Sequence, residues 1–322
     1  MSNVASKIGY SFKSLGPGFH HHRFTSGDVG FDAWIWRGQP GPVLVLNGGT
    51  HGDEYEGPTL LRQWIDNWRP GDLRGTVVMI PVLNEGAFFA GARCHPFDSA
   101  NLARAFPGSA TGTETARLAH LFESAVLAQA THYVDLHSGG NAYELHPWVG
   151  YMIAAGKIDR EQRAMSACFD RFWCWAAPFL PGRTLSATHK RRIPSIYVEC
   201  RGAGGVRPED LSALDHGLHN LLRHLGCVAG EIGPLAKQRF RSSRDAGEAH
   251  LQIHHPAPHD GLFACNINLG ESVRADQPIG LVWPLSEGDP SVIRAERAGT
   301  VVACRRQRSV RRGDALFTLA PL

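Results

Sequence analysis

Residues 42–57 read Pro42-Val-Leu-Val-Leu-Asn-Gly-Gly-Thr-His-Gly-Asp-Glu-Tyr-Glu-Gly57, an apolar run ending on two glycines, with an imidazole and a carboxylate three positions apart just beyond it. The run reads as a short buried strand, and Gly48 and Gly49 free the backbone to turn at its carboxyl end. In open α/β sheets ligands bind at that end. His51 and Glu54 are therefore a candidate metal half-site, and Asp53 and Glu56 fall to structural or supporting positions around it.

Outward from this stretch, short apolar runs alternate with amphipathic ones. Strand-like runs recur at 77–84, 133–137, 148–154 and 195–200, with a further strand-like piece at 31–36. Helical spacing covers 57–68, 113–130, 159–175 and 207–225, with Thr113 and Pro208 as start signals. The pattern predicts an α/β unit, a mostly parallel or mixed sheet with helices on both faces.

Near residue 233 the texture changes to short β-type runs without a long helix, so the expected division is 1–232 and 233–322, with the handover between 226 and 250. The tail repeats itself: Gly261-Leu-Phe-Ala-Cys265, Ser272-Val273-Arg274 and Ile279-Gly-Leu-Val282 are echoed by Gly299-Thr-Val-Val-Ala-Cys304, Ser309-Val310-Arg311 and Leu316-Phe-Thr-Leu319. Two β-halves imply a small sandwich or barrel. It resembles the lipoyl and biotinyl carrier fold, but no lysine follows Lys237, which excludes carriage through an acylated lysine. A lid, substrate rim or assembly surface is expected instead. Arg305, Arg306, Arg308, Arg311 and Arg312 read as a solvated β-face in preference to the rim of an anion site.

With 322 residues, 43% hydrophobic and 20% charged, the composition is that of a soluble globular protein. Thirty-three basic against 30 acidic residues give a formal charge of +3, which offers no basis for a nucleic-acid or membrane partner. Seven dispersed cysteines (94, 168, 174, 200, 227, 265 and 304) without a CxxC fit a reducing cytoplasm. The first thirty residues hold no continuous apolar segment, so neither a signal peptide nor a membrane helix is expected. His20, His21 and His22 cannot easily face one ion and read as a surface or partly packed turn.

A catalytic zinc site commonly joins two histidines and a carboxylate. His137, in Asp135-Leu-His-Ser-Gly-Gly140, sits at the end of another core run and supplies the third ligand. Glu199 follows Ile196-Tyr-Val198 and would emerge beside the same crevice as a general base and acid. The polar, irregular stretch 93–108 suits a substrate loop, and its Arg93 and Arg104 suit an oxyanion or a carboxylate. GxSxG and HExxH are absent, and the glycines at 48–52 lack dinucleotide spacing.

Together HGDE at 51–54, NLxRxFPG at 101–108, DLHSGG at 135–140 and VEC at 198–200 resemble the succinylglutamate desuccinylase/aspartoacylase family, over about residues 40–225. HGDEYEGP at 51–58 is most similar to its N-acetyl-diaminobutyrate deacetylase branch. The resemblance implies a zinc carboxypeptidase-like fold and one zinc per chain on His51, Glu54 and His137. It further implies Glu199 as base and acid, Arg93 polarising the scissile carbonyl and Arg104 gripping a substrate carboxylate. Family members usually carry Asn immediately before that arginine, where this chain has Ala103, and Asn101 is retained as a substrate-side residue. The implied activity is hydrolysis of a small N-acyl amino acid or similar amide. A metallocarboxypeptidase and a metal- or ligand-binding protein without turnover are the alternatives, and a homo-oligomer stays open.

Overall fold

The computed structural model describes residues 10–243 and 253–320. Its first part is a nine-stranded mixed sheet. β1 (Gly18–Ser26) and β2 (Val29–Arg37) form an antiparallel hairpin, followed by β3 (Gln39–Asn47), α1 (Glu56–Asn67), β4 (Arg74–Ile80) and the short α2 (Glu85–Phe89). Then come α3 (Glu114–Ala125), β5 (His132–Ser138), β6 (Tyr143–Leu145), β7 (Trp148–Met152), α4 (Lys157–Ala167) and β8 (Trp173–Ala177). α5 (Thr184–Lys190), β9 (Ser195–Cys200), α6 (Pro208–His224) and β10 (Phe240–Ser242) complete this part, in which every strand but β6 joins the large sheet.

The strands lie in the order β1-β2-β4-β3-β5-β9-β7-β8-β10. After β3 the chain crosses through α1 to β4 on one side, whereas β5 lies on β3's other side. The carboxyl ends of β3, β5 and β9 therefore flank a point where strand order reverses, the place where such sheets form a crevice. α1 docks by Leu60, Leu61, Trp64 and Ile65. Each such burial contributes about 1.5–3 kcal/mol relative to exposure. The helix stops before Arg69-Pro70, because a residue preceding proline avoids helical backbone. Gly49 turns the chain at φ +62°, and an added Cβ would come within 2.9 Å of the Val82 backbone, so the turn demands glycine there.

Two expected elements differ. The helical pattern over 159–175 ends at Ala167, and Trp173–Ala177 is a buried strand parallel to β7. A short apolar run buried on both faces carries no period to tell strand from helix, and its two tryptophans favour the strand. The histidines at 20–22 lie not in a turn but in β1, the edge strand, where successive side chains alternate faces. His22 stacks on Tyr10 at 3.7 Å between ring centroids, while His21 Nε2 is 2.8 Å from Asp32 Oδ1.

Beyond residue 232 the chain still serves the large sheet, since β10 pairs parallel with β8. Residues 244–250 of the expected handover lie outside the described ones. The tail comprises β11 (Gly261–Cys265), β12 (Ser272–Val273), β13 (Pro278–Pro284), β14 (Ser291–Arg294), β15 (Gly299–Arg305), β16 (Ser309–Val310) and β17 (Phe317–Ala320). The repeat is visible in the pairing. β11 of the first half takes β16 from the second, and β15 of the second takes β12 from the first, giving two interlocked sheets. The equivalent cysteines of the two halves, Cys265 and Cys304, meet with their sulfurs 3.1 Å apart.

β15 also pairs with β6, joining the tail to the first unit. The arginines at 305 and 306 are therefore not a solvated face. Arg305 is 8% exposed and donates to the Tyr143 hydroxyl at 3.2 Å, with Asp314 at 3.0 Å. Arg306 pairs with Glu144. Docking of a strand edge, invisible in sequence, takes these charges out of solvent.

Candidate active site

Alternation along the central strands decides what reaches the crevice. On β5 and β9, Val134, Leu136, Ile196 and Val198 enter the core under α1, α4 and α6. The intervening Asp135, His137, Tyr197 and Glu199 face the other way. In the parallel pair β5/β9, His137 stands beside Glu199 and Asp135 beside Tyr197.

His51, Glu54 and His137 come together, buried, with one ligand atom of each within 4.8 Å of the others. His51 Nδ1 lies 2.7 Å from Glu54 Oε1, and His137 Nδ1 lies 2.8 Å from Oε2. The opposite ring nitrogens have acceptors of their own. His51 Nε2 is 3.0 Å from Asn101 Oδ1, an atom identified as oxygen because the Ala103 N–H donates to it at 2.9 Å. His137 Nε2 is 3.0 Å from Asp135 Oδ2. With each Nε2–H donated outward, each Nδ1 presents a lone pair toward the same carboxylate, an arrangement that a cation between them satisfies. The residues fit zinc: two imidazoles and a carboxylate are a typical catalytic donor set.

Charge follows the same geometry. Burial would push the Glu54 carboxyl up, but His51 and His137 outweigh it and hold it well below its usual range. Burial, reinforced by Arg93, lowers His51 to about 4, which keeps it neutral as a ligand must be. Burial raises Glu199 to about 8, with Glu54 adding to the rise while His137 and Arg93 oppose it. Such a carboxyl is poised to take and return a proton near neutral pH.

Asp135 is the hub behind the His-Glu-His group. Its Oδ1 accepts from Asn47 Nδ2 (3.1 Å) and Thr50 Oγ1 (3.0 Å), and its Oδ2 accepts from Thr184 Oγ1 (2.5 Å). Asp53 and Glu56 are structural, as expected: Asp53 Oδ2 accepts from Asn141 N at 3.0 Å, and Glu56 Oε1 from Gly202 N at 2.8 Å.

The loop 93–108 closes one side. Arg93 Nη1 donates to Glu54 Oε1 at 3.1 Å. Asn101, expected on the substrate, has its carbonyl oxygen committed to His51 and to the backbone of Ala103. The start signal at Thr113 makes no side-chain cap of α3, and Asp98 of the loop reaches across instead, accepting from Thr115 N at 2.9 Å and Oγ1 at 2.8 Å. Arg104 and Arg183 line the cleft together with Tyr143, Tyr197 and Ala303. Removal from water, then the proximity of Arg183 and Arg93, lowers Arg104 to about 10.

Sequence reasoning missed Arg183, Tyr197 and the hub role of Asp135. Tyr197 and Asp135 carried a signal, since each lies two residues before a named site residue on the same strand face. Arg183 carried none beyond following Pro181-Gly182.

A mixed α/β sheet with a buried His-Glu-His group at its strand ends offers a donor set suited to a catalytic metal ion. Residues 40–225 match the succinylglutamate desuccinylase/aspartoacylase catalytic domain. The N-alpha-acetyl-L-2,4-diaminobutyric acid deacetylase of Halomonas elongata is 32% identical over 297 residues, 89% of this chain and 84% of that protein. Among solved structures, the product-bound ectoine utilization protein EutE (DoeB) of Ruegeria pomeroyi superposes with a TM-score of 0.86 at 28% identity, covering 96% of this chain and 97% of that one. The succinylglutamate desuccinylase/aspartoacylase of Rhodobacter sphaeroides gives 0.84 at 27% identity, with 97% of each chain covered. The chain belongs to the succinylglutamate desuccinylase/aspartoacylase family, and thereby to the amidohydrolases. No helix among the described residues is long and apolar enough to cross a membrane.

Proposed function

We propose that this protein hydrolyses the amide of a small N-acyl amino acid, with His51, Glu54 and His137 as ligands of one zinc ion. The observation that carries the reading is the pairing of Glu199 with His137 across β5 and β9, which sets a raised carboxyl beside the metal group. Zinc held there supplies Lewis acidity and lowers the pKa of water toward neutrality.

The chain's own residues do the rest. Glu199 takes the proton of the attacking water and returns it to the departing nitrogen, so that no charged amide anion leaves. Arg93, beside Glu54, donates to the acyl oxygen as negative charge grows on it. Arg104 and Arg183 hold the substrate carboxylate, a group that guanidinium binds in paired hydrogen bonds. Asp135 and Asn101 fix the histidine rings. The products are a carboxylic acid and a free amino acid.

A cavity of about 320 Å³, rimmed by Tyr143, Leu145 and Ala303 where the tail docks, supports a small substrate over a peptide threaded through an open groove. Glu199→Gln is the test. Turnover of N-acetyl and N-succinyl amino acids should fall by roughly 10²–10⁴-fold with zinc content unchanged. Full activity in this variant would remove Glu199 from the chemistry. Zinc and ligand binding without acid release by the wild type would make the protein a binder.

A further inference from the structure

Half of the cleft is untouched by that chemistry. In the antiparallel pair β9/β7, Trp148 opposes Glu199 and Gly150 opposes Tyr197, and directly opposed residues project from one face. Met152 continues that face and stands beside Ala177 of β8. The missing side chain at Gly150 makes room for the Tyr197 ring, since a Cβ there would come within 2.3 Å of it. Leu180 and Leu185, from the β8–α5 connection and α5, cover the same end. The result is an apolar floor of Met152, Ala177, Leu180 and Leu185, all buried and all lining the cavity that holds His51, Glu54 and His137.

Charge sharpens what this floor accepts. Among the described residues, the carboxylates on the cavity are Glu54, Asp135 and Glu199. Glu54 is shared by two histidines, Asp135 is held by four side chains, and Glu199 faces the reacting atoms. The cations on the cavity are Arg93, Arg104 and Arg183. An ammonium brought onto the floor would give up water, find no acid, and meet guanidiniums of like charge.

We propose, on the reading that the chain is an N-acyl amino acid deacylase, that the amino-acid half of its substrate carries an uncharged, short aliphatic side chain. That side chain rests on Met152, Ala177, Leu180 and Leu185, and a side-chain ammonium is rejected. A substrate of that kind would differ from the one the Halomonas elongata relative is named for.

Two substrates of equal length decide the matter: N-acetyl-L-norvaline ends in a methyl where N-acetyl-L-2,4-diaminobutyrate ends in an ammonium. With the zinc-loaded full chain, kcat/KM for the norvaline compound should exceed the other by at least about tenfold. Calorimetry should show free norvaline binding more tightly than free 2,4-diaminobutyrate, a readout independent of turnover. Leu185→Asp, checked for folding by its thermal transition, should shrink or reverse both ratios. Equal rates, or preference for diaminobutyrate in rate and binding, overturn the proposal and leave the deacylase reading standing. Failure to hydrolyse any N-acetyl or N-succinyl amino acid strikes that reading instead, and the binding ratio still judges the floor.

Discussion

The two halves of the cleft lie on one face of one sheet and differ completely in character. Under β3, β5 and β9 that face is polar, with His51 beyond β3 and Asp135, His137 and Glu199 on β5 and β9. One strand further, under β7 and β8, it is Gly150, Met152 and Ala177. The polar half needs fixed orientations and so is cross-braced by hydrogen bonds. The apolar half needs only shape, and packing alone supplies it. Disturbing the first should therefore cost function steeply, and disturbing the second should cost stability and selectivity.

The largest effect is expected from the metal group. Chelation should abolish hydrolysis and added zinc restore it, and His137→Ala should lose bound zinc by elemental analysis, because three ligands cannot be reduced to two without opening the site. An active, metal-free His137→Ala protein would break the comparison at its root. Asp135→Asn is the next step outward. The amide keeps the shape but can no longer match the His137 N–H and its other donors as a carboxylate does, so zinc affinity or activity should drop about 10–100-fold. Zinc titration against a competing chelator measures it.

On the apolar side, Gly150→Ala should be milder in rate and visible in stability. The new Cβ collides with the Tyr197 ring, so unfolding free energy should fall by about 1–3 kcal/mol in a denaturant titration. Zinc content should stay unchanged. Loss of zinc in this variant would mean that the halves are not separate.

The smallest effect tests how the loop 93–108 is anchored. Burial pushes the Asp98 carboxyl up, but the N–H groups of Thr115 and Ala100 outweigh it and hold it down to about 2. A depressed folded value means stability that is present above the unfolded pKa near 4 and is lost as pH falls toward 2. Asp98→Asn should cost about 1 kcal/mol at pH 7, and the gap to wild type should close between about pH 4 and 2, followed by thermal unfolding against pH.

Much of the polar half was legible because its residues sit at fixed offsets from apolar runs. The strand at 42–47 places His51 and Glu54, and that at 133–137 places His137 at its end. The floor was illegible for a matching reason: Met152, Ala177, Leu180 and Leu185 are the residues any core uses, and only the pairing of β7 with β9 and β8, together with the packing of α5 and the connection before it, brings them to the cleft. The strand at Trp173–Ala177 was hidden in the same way, as a run buried on both faces has no period. Arg183 and the docked Arg305 likewise depend on contacts between segments far apart in the chain.

Sequence alone determined the α/β core, the repeated β-tail and the three prospective metal ligands with their neighbouring carboxylate, since local periodicity and motif spacing encode them. Tertiary structure alone decided which sheet face is cleft and which is core, that Asn101 braces His51, and that Arg305 is interior while Arg308, Arg311 and Arg312 stay exposed. Those outcomes turn on strand order and register, which are set by long-range packing and leave no mark in any local stretch of chain.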